Sequence, residues 1–384
     1  MICGVFLFFF VIGVVATVFW LTDFGDMFYR WQGRVHIGRW TSDEQWSNAV
    51  KRVCLRWLKC TPYVRKTDQT RMILWDILKG NYKSATIQYW QEAGLLLGLR
   101  DEDQSAVDEF VSRKIGKDGN WTTPPKQVDA ALLAYSILTS TPDVDLIKPA
   151  MDTVYDFILD LKGDGNTVPY RKNVANIRFV DTLGMICPFL ILYGETYKVP
   201  EAVELSIKQL EEYNEVALLP TWRFPAHAFD VKTKAPMGIF DWGRGIGWYV
   251  VALLGMWKST RNDNTRRMLS GLMLQLASKM VLCQRADGGF SSQIFNKNMC
   301  VDASATVLAG LLYVQCYRIS KDRKFKEVAS NVIKCLKTLT QRSGCVDSCQ
   351  GDTKGIGIYS NFYGYMPFAQ GLTLLLINSW NDYS

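Results

Sequence analysis

Apolar residues recur at helical spacing along most of the chain. The stretch "SDEQWSNAVKRVCLRWLKC" (42–60) begins with a serine and then carries apolar residues three and four positions apart, the pattern of an amphipathic helix. The alternation of apolar and polar residues that is typical of strands is nearly absent. The pattern therefore predicts helices over this stretch and over 68–98, 104–116, 126–140, 145–162, 181–197, 200–216, 245–259, 264–284, 302–319, 323–341 and 365–380.

Asp-Gly pairs follow three of the predicted helices. They occur in "KDGNW" (117–121), "KGDGNTVPY" (162–170) and "RADGGFSSQ" (285–293), each with an aromatic residue soon after. One such pair is only a turn signal, but this recurrence indicates repeated helical hairpins. About a dozen helices in one chain then favour a toroid over a simple bundle. A toroid of hairpins gathers its long loops at one end, where we expect a concave polar site.

The first 21 residues, "MICGVFLFFFVIGVVATVFWL", carry no charged side chain. A helix of roughly 20 apolar residues is long enough to cross a bilayer. The stretch lacks the basic start, the short apolar core and the small-x-small cleavage site of a cleaved signal peptide. We therefore predict a retained transmembrane anchor over 1–22, a polar connector over 23–42 and one helical domain over 43–384.

Composition and charge exclude several classes of function. Aromatic residues make up 13% of the chain, which leaves rings for stacking on sugars as well as for the core, and the net charge of +7 is scattered, so we expect no nucleic-acid partner. The only histidines are His36 and His227, too few for a His-rich zinc site, and no G-x-S-x-G elbow is present. The ten cysteines form no C-x-x-C pair, which favours buried free thiols and a reducing compartment.

Two carboxylates each stand at the head of an apolar run. Asp181 opens the run in "RFVDTLGMICPFL" (178–190), and Asp129 precedes the apolar part of "PPKQVDAALLAYSIL" (124–138). An ionised carboxylate is costly to bury unless it is paired, capped or used. Either residue can stabilise the N-terminus of a helix, and either can be a catalytic acid or base with a raised pKa. The two stretches alone leave both interpretations open.

A glycine-rich helix start suggests ligand contact. In "DWGRGIGWYVVALL" (241–254) three glycines weaken the first turns by ~1 kcal/mol each, which we interpret as room for a ligand near the backbone. Arg244 and Trp248 are four apart and share one helix face, so a guanidinium and an indole can bind a sugar carboxylate and stack on a pyranose ring. His227 lies in the non-periodic stretch "TWRFPAHAFD" (221–230).

Five motifs occur together in an order that resembles glycoside hydrolase families 88 and 105, the unsaturated glucuronyl and rhamnogalacturonyl hydrolases. They are "FVDTLGM", "HAFD", "GRGIGWYVVALL", "DASATVLAGLL" and "GIYSNFYGYMPFAQGLTLLL", and the resemblance runs from about residue 120 to 380. It implies an all-α fold, an (α/α)6 barrel, in agreement with the helix count. It also implies hydration of the C4–C5 double bond of an unsaturated uronic acid, followed by rearrangement and release of the neighbouring sugar. No metal or cofactor is needed.

The resemblance implies roles for individual residues. Asp181 matches the general acid/base and Asp129 the second active-site carboxylate, while His227, Arg244 and Trp248 match substrate contacts. Arg178, Trp222 and Asp302 lie in or beside the same motifs, and we predict that they contact the substrate as well.

The motifs also depart from the family pattern. These departures affect the expected substrate more than the expected fold. Phe179 stands where many relatives have Trp, Asp302 stands in "CVDASA" where an "ESSGS"-like sequence is usual, and "SNFYGYMPF" lacks the histidine of "NDLHG". The first hypothesis is therefore an anchored glycosidase acting on an acidic, unsaturated uronyl oligosaccharide. The alternatives are a capsule or exopolysaccharide assembly protein that trims a saturated glycan beside other assembly proteins, and a non-catalytic glycan-binding subunit.

The predicted anchor also bears on location. Arg30, Arg34 and Arg39 follow the span and nothing basic precedes it, so the positive-inside rule favours a cytoplasmic domain. We expect a single-pass protein of a bacterial inner membrane.

Overall fold

Helices dominate the structure, a computed structural model that describes residues 2–381. The α-helices of this part of the chain are α1 (Ile2–Arg34), α2 (Asp43–Lys59), α3 (Ile73–Leu78), α4 (Tyr89–Leu99), α5 (Gln104–Lys114), α6 (Ala130–Ser140), α7 (Lys148–Leu161), α8 (Val180–Tyr197), α9 (Pro200–Val216), α10 (Gly243–Ser259), α11 (Asp263–Met280), α12 (Ala303–Ser320), α13 (Arg323–Thr338) and α14 (Pro367–Asn381). They follow the predicted segments except over 68–98, where residues 79–88 separate α3 from α4. Gly80, with φ of +69°, turns the chain just after α3.

Six helices form a closed inner ring. Helices α4, α6, α8, α10, α12 and α14 each pack against the next, and α14 returns to α4. A helix at the centre of a large domain must be apolar all round, and every residue of α6 except Thr139 is buried. Helices α2, α5, α7, α9, α11 and α13 lie outside the ring and bury one face each. The chain therefore forms the (α/α)6 barrel that the motifs and the helix count predict.

The three Asp-Gly loops lie at the same end of the ring. Each connects an outer helix to the next inner one: 117–121 leads from α5 to α6, 162–170 from α7 to α8, and 285–293 from α11 to α12. Gly119, Gly165 and Gly288 have φ values of +78°, +74° and +84°, which glycine adopts without a steric cost. The N-terminal ends of the inner helices, with the long loops around them, therefore form one face of the barrel.

Five short strands fix parts of these loops. Strand β1 (Ile177–Phe179) pairs antiparallel with β2 (Ala228–Asp230), which also pairs with β3 (Pro236–Met237). Strands β4 (Cys349–Gln350) and β5 (Tyr363–Gly364) form a second antiparallel pair. The cysteines of the described residues are free thiols, most of them buried, as the sequence predicts.

Helix α1 continues without a break from the apolar run into the domain. It is the one helix of residues 2–381 that is long and apolar enough to span a membrane, and its apolar side chains are exposed. The predicted connector 23–42 is helical as far as Arg34. Arg34 donates two hydrogen bonds of 2.9 Å to the carboxylate of Asp347, and Asp26 lies 3.4 Å from Arg65. The end of α1 is thus bound to the barrel by charged contacts.

Glycines close the ring between its first and last inner helices. A Cβ atom on Gly98 of α4 would overlap the carbonyl oxygen of Gly371 of α14. We expect Gly98→Ala to lower the free energy of unfolding by ~1–3 kcal/mol, because two packed backbones must separate. Gly271→Ala in α11 is the matched control, since a Cβ there meets no atom within 4 Å, and it should gain up to ~1 kcal/mol. Chemical denaturation in detergent measures both, and equal shifts would contradict the close contact.

Candidate active site

A cleft of about 250 Å³ opens at the face where the inner helices begin. Asp181, His227, Arg244 and Trp248, which the sequence assigns to the site, all line it. Its other walls come from the 163–176 loop, from residues 352–355 and from both ends of the segment 64–87. The cleft therefore brings together chemistry-bearing residues that are far apart in the chain.

Asp181 reaches the cleft through the small three-stranded sheet. The register pairs Phe179 with Ala228, and the Val180 N–H donates to the His227 carbonyl over 2.9 Å. This pairing places the first turn of α8 beside His227, so that Asp181 Oδ2 lies 3.7 Å from His227 Nε2. Phe179, and not Asp181, is the N-cap residue of α8, and the Asp181 side chain is 18% exposed and lines the cleft. The helix-cap interpretation of Asp181 is therefore not supported.

Burial controls the protonation of Asp181. Desolvation raises its pKa to about 7, and the positive charge of Arg244 opposes this rise only in part. Its Oδ2 atom is buried and has no hydrogen-bond partner among the described residues. A carboxyl with such a pKa can hold a proton near neutral pH and deliver it to a bound molecule.

His227 faces Asp181 as a neutral imidazole. Burial, followed by the charge of Arg244, lowers its pKa to about 4. Its Nδ1 atom lies 3.1 Å from the Tyr359 hydroxyl, and its ring packs against Trp242 at 4.6 Å between centroids. A neutral ring places no positive charge beside Asp181, so it does not counteract the raised pKa of that carboxyl.

Asp129 lies behind the cleft wall. It is fully buried at the start of α6, and its Oδ2 accepts a hydrogen bond of 3.3 Å from the Trp90 N–H. Burial raises its pKa to about 7, and its Oδ1 has no partner among the described residues. Tyr170, which lines the cleft, has its pKa raised by burial and then by the charges of Asp129 and Asp181. Asp129 is thus close to the site but does not line it.

Arg244 and Trp248 share a helix face, as their spacing predicts. The Arg244 guanidinium donates to the carbonyl oxygens of Gln350 and Gly351, so two of its five N–H donors already bind the backbone. The Trp248 ring stacks on Phe368 with 5.1 Å between centroids. Both residues still contribute to the lining of the cleft.

The glycines around Arg244 have a different role from the predicted one. A Cβ on Gly243 would lie 2.7 Å from the Ser291 carbonyl oxygen, and one on Gly245 would lie 2.5 Å from the Trp242 ring. A Cβ on Gly247 would overlap Leu308 of the adjacent inner helix. The prediction that they admit a ligand to the backbone is wrong, because the protein itself occupies that space.

Arg178 does not line the cleft. Successive residues of a strand point to opposite faces, and Phe179, the next residue of β1, is the one that faces the cleft. The buried guanidinium of Arg178 donates to the Thr167 hydroxyl over 2.7 Å and to the Ala175 carbonyl over 2.8 Å. Arg178 thus supports the 163–176 loop from behind, which corrects the predicted substrate contact.

Trp222 and Asp302 also lie outside the cleft lining. The Trp222 ring packs against Phe295 at 4.8 Å between centroids. Asp302 Oδ1 accepts from the N–H of Ser304, at the start of α12, and from the Gln350 N–H over 3.1 Å. Because Gln350 in turn accepts from Arg244, Asp302 positions Arg244 through the backbone and does not contact the cleft.

Sequence reasoning missed four charged residues of the cleft. Lys66, Arg171, Asp352 and Lys354 all line it. Burial raises the pKa of Asp352, and the charges of Arg244, Lys66 and Arg171 oppose this rise. The stretch "GDTKG" (351–355) could have indicated two of them, Asp352 and Lys354. It is polar, flanked by glycines and without helical periodicity, and the stretch around His227 is likewise non-periodic. Cations outnumber carboxylates in the lining, so the cleft suits an anionic ligand.

We find no candidate metal site in the described part of the chain. No three His, Cys, Asp or Glu side chains of residues 2–381 cluster in a way that could hold a metal ion.

The raised pKa of Asp129 predicts a pH-dependent stability. The unfolded chain ionises this carboxyl near its ordinary value of 3.8, whereas the native state resists ionisation up to about 7. The free energy of unfolding therefore falls as the pH rises between these values and stays low above them. We expect Asp129→Asn to stabilise the protein at pH 8 by up to ~4 kcal/mol, at 1.36 kcal/mol per pKa unit, and to have little effect at pH 4.

Denaturation midpoints in detergent at both pH values measure this difference. Asp263→Asn is the control, because Asp263 is 82% exposed in the first turn of α11 and should show no such gain. If Asp129→Asn lost the same stability at both pH values, the prediction would be wrong. The result would mean that the native Asp129 carboxylate is ionised and is stabilised by the Trp90 N–H.

Comparisons with solved structures identify the fold. A possible family 105 member from Salmonella enterica is 15% identical with a TM-score of 0.72, covering 88% of this chain and 94% of that one. An unsaturated glucuronyl hydrolase specific for heparin is 13% identical with a TM-score of 0.64, covering 89% and 98%. The unsaturated glucuronyl hydrolase of Bacillus sp. GL1, described as responsible for glycosaminoglycan degradation, is 14% identical with a TM-score of 0.61, covering 86% and 94%. At such identities the likeness establishes the fold alone.

A family model gives the more specific result. No curated protein matches the chain significantly. The model of Glycosyl Hydrolase Family 88 matches residues 49–378, which include the cleft and the inner ring except for the last three residues of α14. The chain belongs to glycoside hydrolase family 88, and with it to the glycosidase-type hydrolases.

Proposed function

We propose that the protein hydrates the C4–C5 double bond of an unsaturated uronyl residue at the end of an acidic oligo- or polysaccharide, with Asp181 as general acid/base. The observation that carries this proposal is the Asp181 carboxyl, which is desolvated to a pKa of about 7 and yet open to the cleft. Membership of family 88 supports it, since the resemblance implies this reaction.

The proposed chemistry needs one carboxyl that gives a proton and then takes one back. Asp181 gives its proton to C4 of the enol ether, and water adds to C5 as its own proton passes to the Asp181 carboxylate. The net result is addition of H and OH across the double bond, so Asp181 ends protonated as it began. The hydrate, a hemiketal at C5, then opens its ring and releases the neighbouring sugar. The neutral His227 ring, 3.7 Å away, adds no positive charge that would remove the proton of Asp181 before the step.

The charge of the cleft supports an acidic substrate. Lys66, Arg171 and Lys354 line it together with Arg244, and a uronate places a carboxylate directly on the reacting ring. Because Arg244 donates to two backbone carbonyls and Lys354 pairs with Asp68, we assign carboxylate recognition mainly to Lys66 and Arg171. Trp248 offers an apolar wall for the sugar ring. Asp129 supports the site from behind Trp90, the second tryptophan of the lining.

We further propose that α1 is a retained membrane anchor. A cleaved signal sequence is removed from the folded domain, but the continuous helix places Asp26 and Arg34 in ion pairs with the barrel. Residues 3–22 carry no charged side chain, and all of them except Phe19 and Thr22 are exposed, as a single-pass span requires.

Asp181→Asn tests the proposed reaction directly. Loss of the ultraviolet absorbance of the C4–C5 enoate, followed on a panel of unsaturated uronyl disaccharides, reports hydration. We expect the substitution to lower kcat by ~10²–10⁴-fold with little change in KM, as for removal of a general acid. For the unsubstituted protein, kcat/KM should be flat at acid pH and fall above about 7, because deprotonation of Asp181 removes the proton that it donates.

Asp263→Asn is the control and should keep full activity, since Asp263 lies on the outer helix α11. A rate that rises with pH through 7 would contradict the acid role. Unchanged absorbance across the whole panel would refute the hydration proposal and favour the alternative of a protein that trims or binds a saturated glycan.

Lys66→Gln tests recognition of the uronate. Losing one charged hydrogen bond of ~1.5–3 kcal/mol should raise KM by roughly 10- to 100-fold and leave kcat nearly unchanged. Lys83→Gln is the matched control, because Lys83 pairs with Lys66 through the backbone but is exposed and does not line the cleft. With a substrate whose carboxylate is esterified, both variants should change KM only slightly. A large increase of KM for that ester in Lys66→Gln would contradict the assignment.

A further inference from the structure

The segment 64–87 connects the cleft to the membrane helix. Its two ends run side by side, with hydrogen bonds of 2.9 Å from the Lys66 N–H to the Lys83 carbonyl and of 2.7 Å from the Ala85 N–H to the Val64 carbonyl. Residues at these ends line the cleft, whereas the short helix α3 forms the tip. We call the segment 64–87 the α3 loop.

The tip of the α3 loop is bound to α1 at the end of its apolar run. The Asp23 carboxylate accepts hydrogen bonds from the N–H groups of Met72, over 2.7 Å, and Ile73, over 2.9 Å. One turn earlier in α1, the Phe19 ring lies 6.5 Å from the Trp75 ring between centroids. Phe19 belongs to the proposed membrane span, so α3 lies beside the place where that span leaves the bilayer.

The outer surface of α3 is apolar and uncovered by the protein. Trp75, Ile77 and Leu78 are 47%, 48% and 67% exposed, and of the six residues of α3 only Ile73 is buried. Three such side chains on six residues are not explained by core packing. Exposed apolar groups of this kind mark a surface that meets another apolar phase.

Cations flank the apolar surface of α3. Arg71, Lys79 and Lys83 are exposed, and the Lys79 ammonium lies 4.8 Å from the centre of the Trp75 ring. A tryptophan with apolar neighbours and basic residues around it is the pattern of a segment at the boundary between lipid headgroups and acyl chains.

Helix α1 itself carries an exposed stripe of aromatic rings on another of its faces. Trp20, Phe24, Phe28 and Trp31 follow one another at helical spacing, and consecutive rings lie 5.0, 5.9 and 5.6 Å apart between centroids. All four are at least 40% exposed. The stripe borders the helix face that carries Asp23 and Asp26, and it covers roughly 16 Å of helix at 1.5 Å per residue.

We propose that α3 inserts into the interface of the bilayer beside α1, so that the barrel rests on the lipid surface at two points. This inference depends on the proposed anchor role of α1 and goes beyond it. A lipid surface is the occupant that fits, because the exposed face of α3 continues the apolar surface of the span and is bordered by cations that anionic headgroups attract.

The position of α3 constrains the substrate. Lys66 lines the cleft and is seven residues from Ile73, so these two residues are separated by at most about 25 Å of extended chain. With α3 in the interface, the cleft mouth stays within that distance of the lipid. The acidic glycan that it takes is therefore one presented close to the membrane surface.

Photo-cross-linking of the full-length protein tests the contact. A benzophenone amino acid is placed at Ile77 or Leu78, and the protein is reconstituted in vesicles of phosphatidylcholine and phosphatidylglycerol. Leu7, 63% exposed in the span, is the positive control, and Leu282, 59% exposed next to the outer helix α11, is the matched negative control. After irradiation we expect lipid adducts by mass spectrometry at 77, 78 and 7, and none at 282.

The possible outcomes separate this inference from the proposals on which it depends. Adducts at 7 without adducts at 77 and 78 overturn the inference and leave the anchor in place. Absence of adducts at 7 as well overturns both, and cross-links from 77 or 78 to a second copy of the chain replace lipid by a protein partner. The enoate assay with soluble disaccharides measures the hydration activity of each variant. Failure of the hydration proposal is therefore detected separately from failure of the lipid contact.

Discussion

Desolvation of a single carboxyl is the constraint on which the chemistry of the cleft depends. Asp181 lies among aromatic side chains, and His227, the one basic group of residues 2–381 within ion-pair distance of it, is itself held neutral by burial. Arg244 is close enough to lower the pKa of Asp181, yet its donors bind the carbonyls of Gln350 and Gly351. Desolvation therefore outweighs the favourable charge, and the pKa of Asp181 stays near 7 instead of falling with ion pairing.

The barrel maintains this environment through its closed ring. The ring is tight because glycines let inner helices touch backbone to backbone, as at Gly98 and Gly371, or let a large ring fill the gap, as at Gly184 against Trp248. Such contacts fix where α8 and α10 begin. The first turns of these helices carry Asp181 and Arg244, so the close packing of the helices determines the positions of both side chains.

The sequence predicts the parts of this arrangement that follow helical periodicity. The inner and outer helices, the loops at one end, and the joint position of Asp181, Arg244 and Trp248 all follow from spacing and from motifs on helix starts. The charged rim does not, because Lys66 and Lys354 lie in loops whose positions depend on contacts between distant segments. Lys354, for example, pairs with Asp68, which is 286 residues away. Arg178 shows the converse error, in which nearness to Asp181 in sequence hides the alternation of side chains along β1.

The segment 347–364 contacts both helix α1 and the cleft. At one end Asp347 accepts both hydrogen bonds of Arg34, and the guanidinium holds the pKa of this buried carboxyl below its usual range. Three and four residues later the backbone accepts from Arg244, and Asp352 follows in the cleft wall. Arg34 also donates to the carbonyl of Tyr363, on the strand that pairs with β4. Only a few residues thus connect α1 to Arg244. A displacement of α1 relative to the barrel must therefore strain the hydrogen bonds that hold the Arg244 guanidinium near Asp181. Helix α1, which we propose as the membrane anchor, is therefore also a structural part of the end of the barrel that holds the cleft.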